Sequence, residues 1–163
     1  MALFPDPKTK PDAGSAGQFQ NMEEWNAFTA FASAPVGFGL PVSVVGQAGD
    51  GSASIKPLED GEVFAGITRE NITTNTTGDS LTYAVGDTLG VADEGVIFVP
   101  IGGAVTKGQK PFYNPADSQF YGASAVGYLP IPNAEFDQDG AADSVAPLRI
   151  RVVPGGDPVE AAA

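Results

Sequence analysis

Turn residues interrupt the apolar segments of this chain at regular intervals, and this limits its fold more than any other feature. The sequence holds 21 Gly and 14 Pro in 163 residues. Turn formers cluster at Gly49-Asp50-Gly51, Asp60-Gly61, Thr77-Gly78-Asp79, Asp93-Glu94-Gly95, Lys107-Gly108 and Pro115-Ala116-Asp117. A spacing of roughly 8–18 residues suits short strands and shortens any helix below ordinary length. Between these turns the apolar residues alternate. Val36, Phe38, Leu40, Val42 and Val44 share one face of an extended segment, a period of two that marks a half-buried strand. Pro41 cannot donate to a ladder, so this strand is expected at an edge or with a bulge. Further strands are expected over Val63 to Thr68, through Tyr83, Val85, Leu89 and Val91, and around Phe112 and Tyr113. Val96 to Ile101 is continuously apolar and reads as a strand buried on both faces. In the last strand Leu148, Ile150 and Val152 face one way, Arg149 and Arg151 the other. The expected fold is all-β: an antiparallel sandwich or jelly-roll, or a small barrel, over residues 35–153.

The ends differ in composition. Residues 1–34 are expected to form an N-terminal arm, rich in Pro and Gly at its start and unable to bury enough apolar surface to fold alone. The three-residue spacing of Phe19, Met22, Trp25, Phe28 and Phe31, with Glu23 and Glu24 near its start, predicts a short helix over 19–31. Phe28 to Ser33 suits an extended strand equally well. These aromatics either pack on their own domain or anchor on a partner. Residues 154–163 are expected as a flexible tail.

Charge and missing residue types exclude several functions. The net charge is −12, from 20 acidic and 8 basic residues, and such a polyanion repels a phosphate backbone, so no nucleic-acid partner is expected. There is no Cys and no His. Disulfides, thiol nucleophiles, imidazole bases and the usual zinc and haem ligand sets are therefore ruled out. The first ten residues hold no apolar signal core, and no apolar run approaches the ~20 residues of a membrane helix, so a soluble protein without a membrane partner is expected.

Local motifs fail on inspection. Gly103 to Lys110 superficially matches a phosphate loop, but Gln109 and Lys110 stand where Lys and Ser or Thr belong, and Pro111 follows in place of a helix. Asp137, Asp139 and Gly140 resemble the start of a calcium loop whose later ligands are absent. Paired carboxylates are inevitable among 20 acids, and most of these stand beside Gly in turns, where solvent leaves their chemistry ordinary. Asn71-Ile72-Thr73 and Asn75-Thr76-Thr77 match glycosylation sequons with no secretory signal ahead of them. The region from Val85 to Gln109 is similar to biotinyl and lipoyl carrier domains, but Lys56 lies between Ile55 and Pro57, without the neighbours a modified Lys requires. No catalytic residue, cofactor or metal site is expected, and the protein is read as a non-enzyme.

From Val36 to Val153 the chain resembles the structural cement, or decoration, proteins of tailed phages. The resemblance rests on Phe38-Gly39 before an apolar strand and the Gly49 to Gly51 turn. It continues through Gly61-Glu62-Val63-Phe64-Ala65-Gly66-Ile67-Thr68, Tyr83 with Gly86-Asp87, and Gly95 to Val99. Val105-Thr106 with Gly108-Gln109, then Pro132-Asn133-Ala134-Glu135-Phe136 and Leu148 to Val152, complete the order. The resemblance implies a virion protein on the outer surface of the capsid. It would bind the major capsid protein at joints between subunits and stabilise the expanded shell, as a homo-oligomer (dimer or trimer) at a symmetry axis. Under that reading Phe4, Lys8, Lys10, Phe19, Trp25 and Phe28 are the expected partner contacts, and an edge strand starting near Val36 is a further one by strand addition. The rival reading is a carbohydrate- or protein-binding β module of a tail or surface appendage.

Overall fold

A computed structural model of the protein describes residues 14–21, 24–70 and 82–163. Among them there is no helix, and fourteen strands carry the fold. Five strands close a small barrel: β1 (Asn26–Ala32), β4 (Ala53–Pro57), β3 (Pro41–Gln47), β6 (Gly66–Thr68) and β8 (Thr88–Ile101), in that order around the circuit, with β8 pairing back onto β1. Closure leaves no free edge around the ring, and an interior this narrow is filled by side chains. Ala30, Ala32, Val42, Ile55, Ile67, Leu89 and Val91 from these strands are all buried. All-β with a small barrel is therefore what the turn spacing produces.

The pairing is mostly antiparallel, but β1 runs parallel to β4. Pro41 is the first residue of β3, where its missing donor costs least, and the expected bulge lies between Val44 and Gly46. The alternating segment from Val36 to Val44 is not one strand. It divides into β2 (Val36–Gly37), paired with β7 (Thr82–Tyr83), and β3, because Gly39 takes a φ of +70° at the corner. A Cβ there would lie 2.9 Å from Gly17 N and 3.0 Å from Phe98 O.

Strand β8 is the spine. Its first half closes the barrel, and its second half, Glu94 to Ile101, pairs with β13 (Ser144–Arg151), which carries β12 (Ala134–Phe136) on its other side. At Ile101 β8 meets β10 (Gln119–Tyr121) in parallel, followed outward by β9 (Phe112–Asn114) and β11 (Leu129–Pro130). The expected turn at Asp93-Glu94-Gly95 is not a turn, for the strand runs through it with Gly95 at φ +125°. The alternation in β13 holds: Leu148 and Ile150 are buried, while Arg149 and Arg151 stand on the open face.

Both ends depart from expectation. Among the described residues of 19–31 the short helix does not form. Residues 26–32 are a barrel strand, paired with β8 from Asn26↔Glu94 to Phe31↔Thr88, so a domain boundary at 34/35 would cut the barrel. Tertiary pairing overrides the weak three-residue period, which drifts off any one helical face within two turns. The tail is pinned. Its β14 (Pro158–Val159) pairs with β5 (Glu62–Val63), Val159 is buried, and Ala162 exchanges backbone hydrogen bonds with Gly127 and Tyr128.

Candidate functional site

The segment Gly17 to Gln20 lies against the middle of β8. Gly17 N–H donates to Phe98 O at 2.8 Å, Phe98 N–H to Gln18 O at 2.9 Å, and Gln20 N–H to Val96 O at 2.8 Å. This brings Phe19 and Trp25 together over Gly95, their ring centroids 5.1 Å apart. A Cβ on Gly95 would meet Trp25 Cβ at 3.0 Å and Phe19 Cε1 at 3.1 Å, so the crossing needs a residue without a side chain. Arg69 completes the cluster. Its guanidinium carbon lies 4.9 Å from the Phe19 centroid and 5.5 Å from that of Trp25, while its Cδ rests 3.3 Å from where a Gly90 Cβ would be. The backbone carbonyl of Arg69 accepts a 2.5 Å hydrogen bond from the hydroxyl of Tyr83, whose burial pushes its pKa up to about 12.

Trp25 is 43% exposed, the largest ring among the exposed apolar side chains. A groove of about 300 Å³ beside it is lined by Glu24, Glu94, Gly95, Val96, Arg149 and Arg151, among others. All three arginines of the chain thus border one patch. Arg149 pairs with Asp137 at 3.0 Å and Arg151 with Glu94 at 3.5 Å. Three buried polar atoms have no hydrogen-bond partner among the described residues: Gln20 Oε1, Arg69 Nε and Asp93 Oδ1. Arg69 is in the cluster, Gln20 is the neighbour of Phe19, and Asp93 accepts from the side chain of Asn26, the neighbour of Trp25. Buried polar atoms are normally satisfied, and each orphan costs about 1–3 kcal/mol. An exposed Trp with arginines around it and unmet hydrogen-bonding capacity beneath has the make-up of an interface centre.

The remaining expected contacts fall elsewhere. Phe28 is half-buried in β1 and packs against the core. Phe4, Lys8 and Lys10 lie outside the described residues. The discarded motifs have structural uses. Asp137 serves Arg149, and Asp139 Oδ1 accepts the Lys107 N–H at 2.8 Å. Lys56 is held by Glu59 and Glu62 at 2.7 and 2.6 Å. Among the described residues no three acids gather into a metal-ligand set.

Residues 7–151 match the family model for structural cement proteins, described by gp24 of E217 and gp6 of Pam3. The chain belongs to the structural cement protein family. The family assigns it a structural role in the phage virion, in association with capsid proteins. A chain in the structure titled "The capsid of Myoviridae Phage XM1" shares the fold, with a TM-score of 0.70 and 19% identity over 93% of this chain and 98% of that one. No curated protein matches.

Sequence reasoning missed Arg69, Gln20, Asp93 and Gly95 of this cement protein. Arg69 is separated from Trp25 by the whole of β1 to β6, and no local pattern links them. Gly95 carried the one usable signal, since a glycine ahead of six continuously apolar residues fits a strand crossed by another segment as well as a turn.

Proposed function

We propose that this protein is a non-enzymatic cement that binds the outer surface of the phage head at joints between major capsid proteins and stabilises the expanded shell. The observation that carries the reading is the Trp25 patch. Large aromatics and arginines contribute most of the energy at interfaces. Phe19 and Arg69 hold the Trp25 ring in place, so little conformational freedom is lost on docking. Lys8 and Lys10 pair with capsid carboxylates in this reading, and Phe4 fills an apolar pocket. Phe28, half-buried in β1 and packed against the core, holds the strand that follows Trp25. The net charge of −12 favours a solvated outward position over contact with packed DNA. Assembly as a homo-oligomer at a symmetry axis multiplies these contacts without requiring each to be strong.

Co-sedimentation of the full chain with expanded, undecorated capsids tests the proposal. Saturable binding is expected. Truncation should stop at residue 12, because removal through residue 31 would delete most of a barrel strand. Weakened binding of that short truncation would support contacts from Phe4, Lys8 and Lys10. Absence of binding by the full, folded chain would overturn the cement reading.

A further inference from the structure

Strand β8 carries the Trp25 patch at Gly95. Six residues further, about 20 Å along the strand, Ile101 leads to a second groove. Its volume is about 350 Å³, and Gln109, Tyr121, Ser124 and Tyr128 line it together with small residues. The two tyrosine rings meet at 4.9 Å with 32° between their planes, and both are partly exposed. The Tyr121 hydroxyl donates to Asp117 Oδ2 at 2.7 Å, and that hydrogen bond is the main reason its pKa is pushed up to about 12. Asp117 Oδ1 in turn accepts the Gln119 N–H at 3.1 Å.

Three glycines make room for these side chains. A Cβ on Gly102 would overlap the Tyr121 hydroxyl and Gln119 Oε1; one on Gly103 would press on the Tyr121 ring at 3.3 Å; one on Gly122 would overlap the Gln109 carboxamide. Gln109 Oε1 accepts the Thr106 N–H at 2.8 Å, which leaves its Nε2 as the remaining donor of the group. Neither tyrosine belongs to the buried core. Backbone space has therefore been given up to fix an exposed aromatic pair among a carboxylate and two carboxamides.

We propose that the Tyr121–Tyr128 groove binds a neutral pyranose sugar. Partly apolar rings with a few fixed polar groups in a concave site suit a ligand that has C–H faces and hydroxyls able to donate and accept. The net charge of −12 disfavours sialylated or phosphorylated glycans. The inference does not rest on the capsid reading, since it concerns a separate surface of the free protein.

The test is an NMR titration of the full chain with maltohexaose, cellohexaose and chitohexaose, with a sialylated oligosaccharide as the charged comparison. Shifts at Tyr121, Tyr128 and Gln109 are expected with at least one neutral sugar, with a dissociation constant of about 1 mM, as befits a shallow site. The Tyr128→Ala variant should weaken binding about tenfold or more, and Ala123→Trp, which fills the groove from an exposed position, should block it. Trp25→Ala should leave it unchanged. A parallel arm with immobilised host-envelope polysaccharide separates a surface glycan from a free oligosaccharide, and binding in either arm supports the site. No groove shifts with any neutral sugar and no polysaccharide binding would overturn the proposal, as would shifts unaltered in both groove variants.

Discussion

Replacing Trp25 by Ala separates what the ring does in the free protein from what it does on a shell. In the free protein the ring meets Phe19 and the Arg69 guanidinium. An aromatic pair contributes about 0.5–1.5 kcal/mol and an exposed cation–π contact about 0.5–1 kcal/mol, so the variant should lose about 1–2.5 kcal/mol of stability. Docking adds a different term. The side chain is 43% exposed, and of the ~250 Å² that a large aromatic side chain can bury, about 110 Å² is still available to a partner. At about 25 cal/mol per Å² that is ~2.7 kcal/mol, or roughly a hundredfold in affinity. Urea denaturation reads the first quantity, and co-sedimentation with expanded capsids over a range of concentrations reads the second. If the folded variant bound within about threefold of wild type, Trp25 would not be an interface centre and the patch would have to be reassigned.

Three further outcomes are expected. Gly66→Ala should lower the melting temperature by about 6–12 °C, an expected cost of about 3 kcal/mol, because Gly66 sits at φ +150° and a Cβ there overlaps Ala92 O where β6 closes onto β8; a change under about 2 °C would mean the barrel yields there. Burial pushes Glu62 up, but hydrogen bonds from Lys56, Ser43 and the Glu59 N–H prevail and hold its pKa below the ordinary 4.5, while hydrogen bonds to Glu59 and Glu62 raise Lys56 above 10.5. The Glu62 contribution is therefore present above pH 4.5 and lost as pH falls below it, and the Lys56 contribution is present below pH 10.5 and lost above it, so pH-dependent denaturation of Glu62→Gln should show a shallower acid limb than wild type. Deleting residues 154–163 should cost at least the burial of Val159, about 1.5–3 kcal/mol. It should also weaken sugar binding, since Ala162 holds Gly127 and Tyr128 through backbone hydrogen bonds; melting and the same NMR titration check both parts.

The strand class of this fold was legible because its carriers are local. Alternation in Leu148, Arg149, Ile150 and Arg151 records one buried and one open face, and the pairing with β8 and β12 only confirms which is which. Barrel closure was not legible, because it depends on the parallel contact of Ala30 to Ala32 with Ala53 to Ile55 and on the return of β8 to β1, both pairings between segments distant in sequence. The helix over 19–31 failed for the same reason. Phe28, Ala30 and Ala32 also alternate, and a neighbouring strand decided between two local patterns of similar strength. The tail looked like linker by composition, yet Val159 and two backbone hydrogen bonds through Ala162 suffice to pin it.

Both candidate surfaces share a device that explains why sequence alone hides them. Gly95 lies within the spine strand, and Gly102 and Gly103 follow at its end. Each is read by default as a turn, because glycine is common in turns. In this fold each is also a place where side chains from elsewhere lie across the backbone: Phe19 and Trp25 over Gly95, Tyr121 and Gln119 over Gly102, and Tyr121 over Gly103. A side chain at any of these positions would displace the rings before it disturbed the core, since the overlapping atoms belong to partly exposed residues. Substitution to Ala at Gly95 and at Gly102 should therefore impair one surface each. Gly95→Ala should weaken capsid binding and spare the sugar titration, and Gly102→Ala should do the reverse, with both variants retaining a cooperative unfolding transition. Loss of both activities in either variant would mean that β8 transmits the disturbance along its length, and that the two surfaces are not independent.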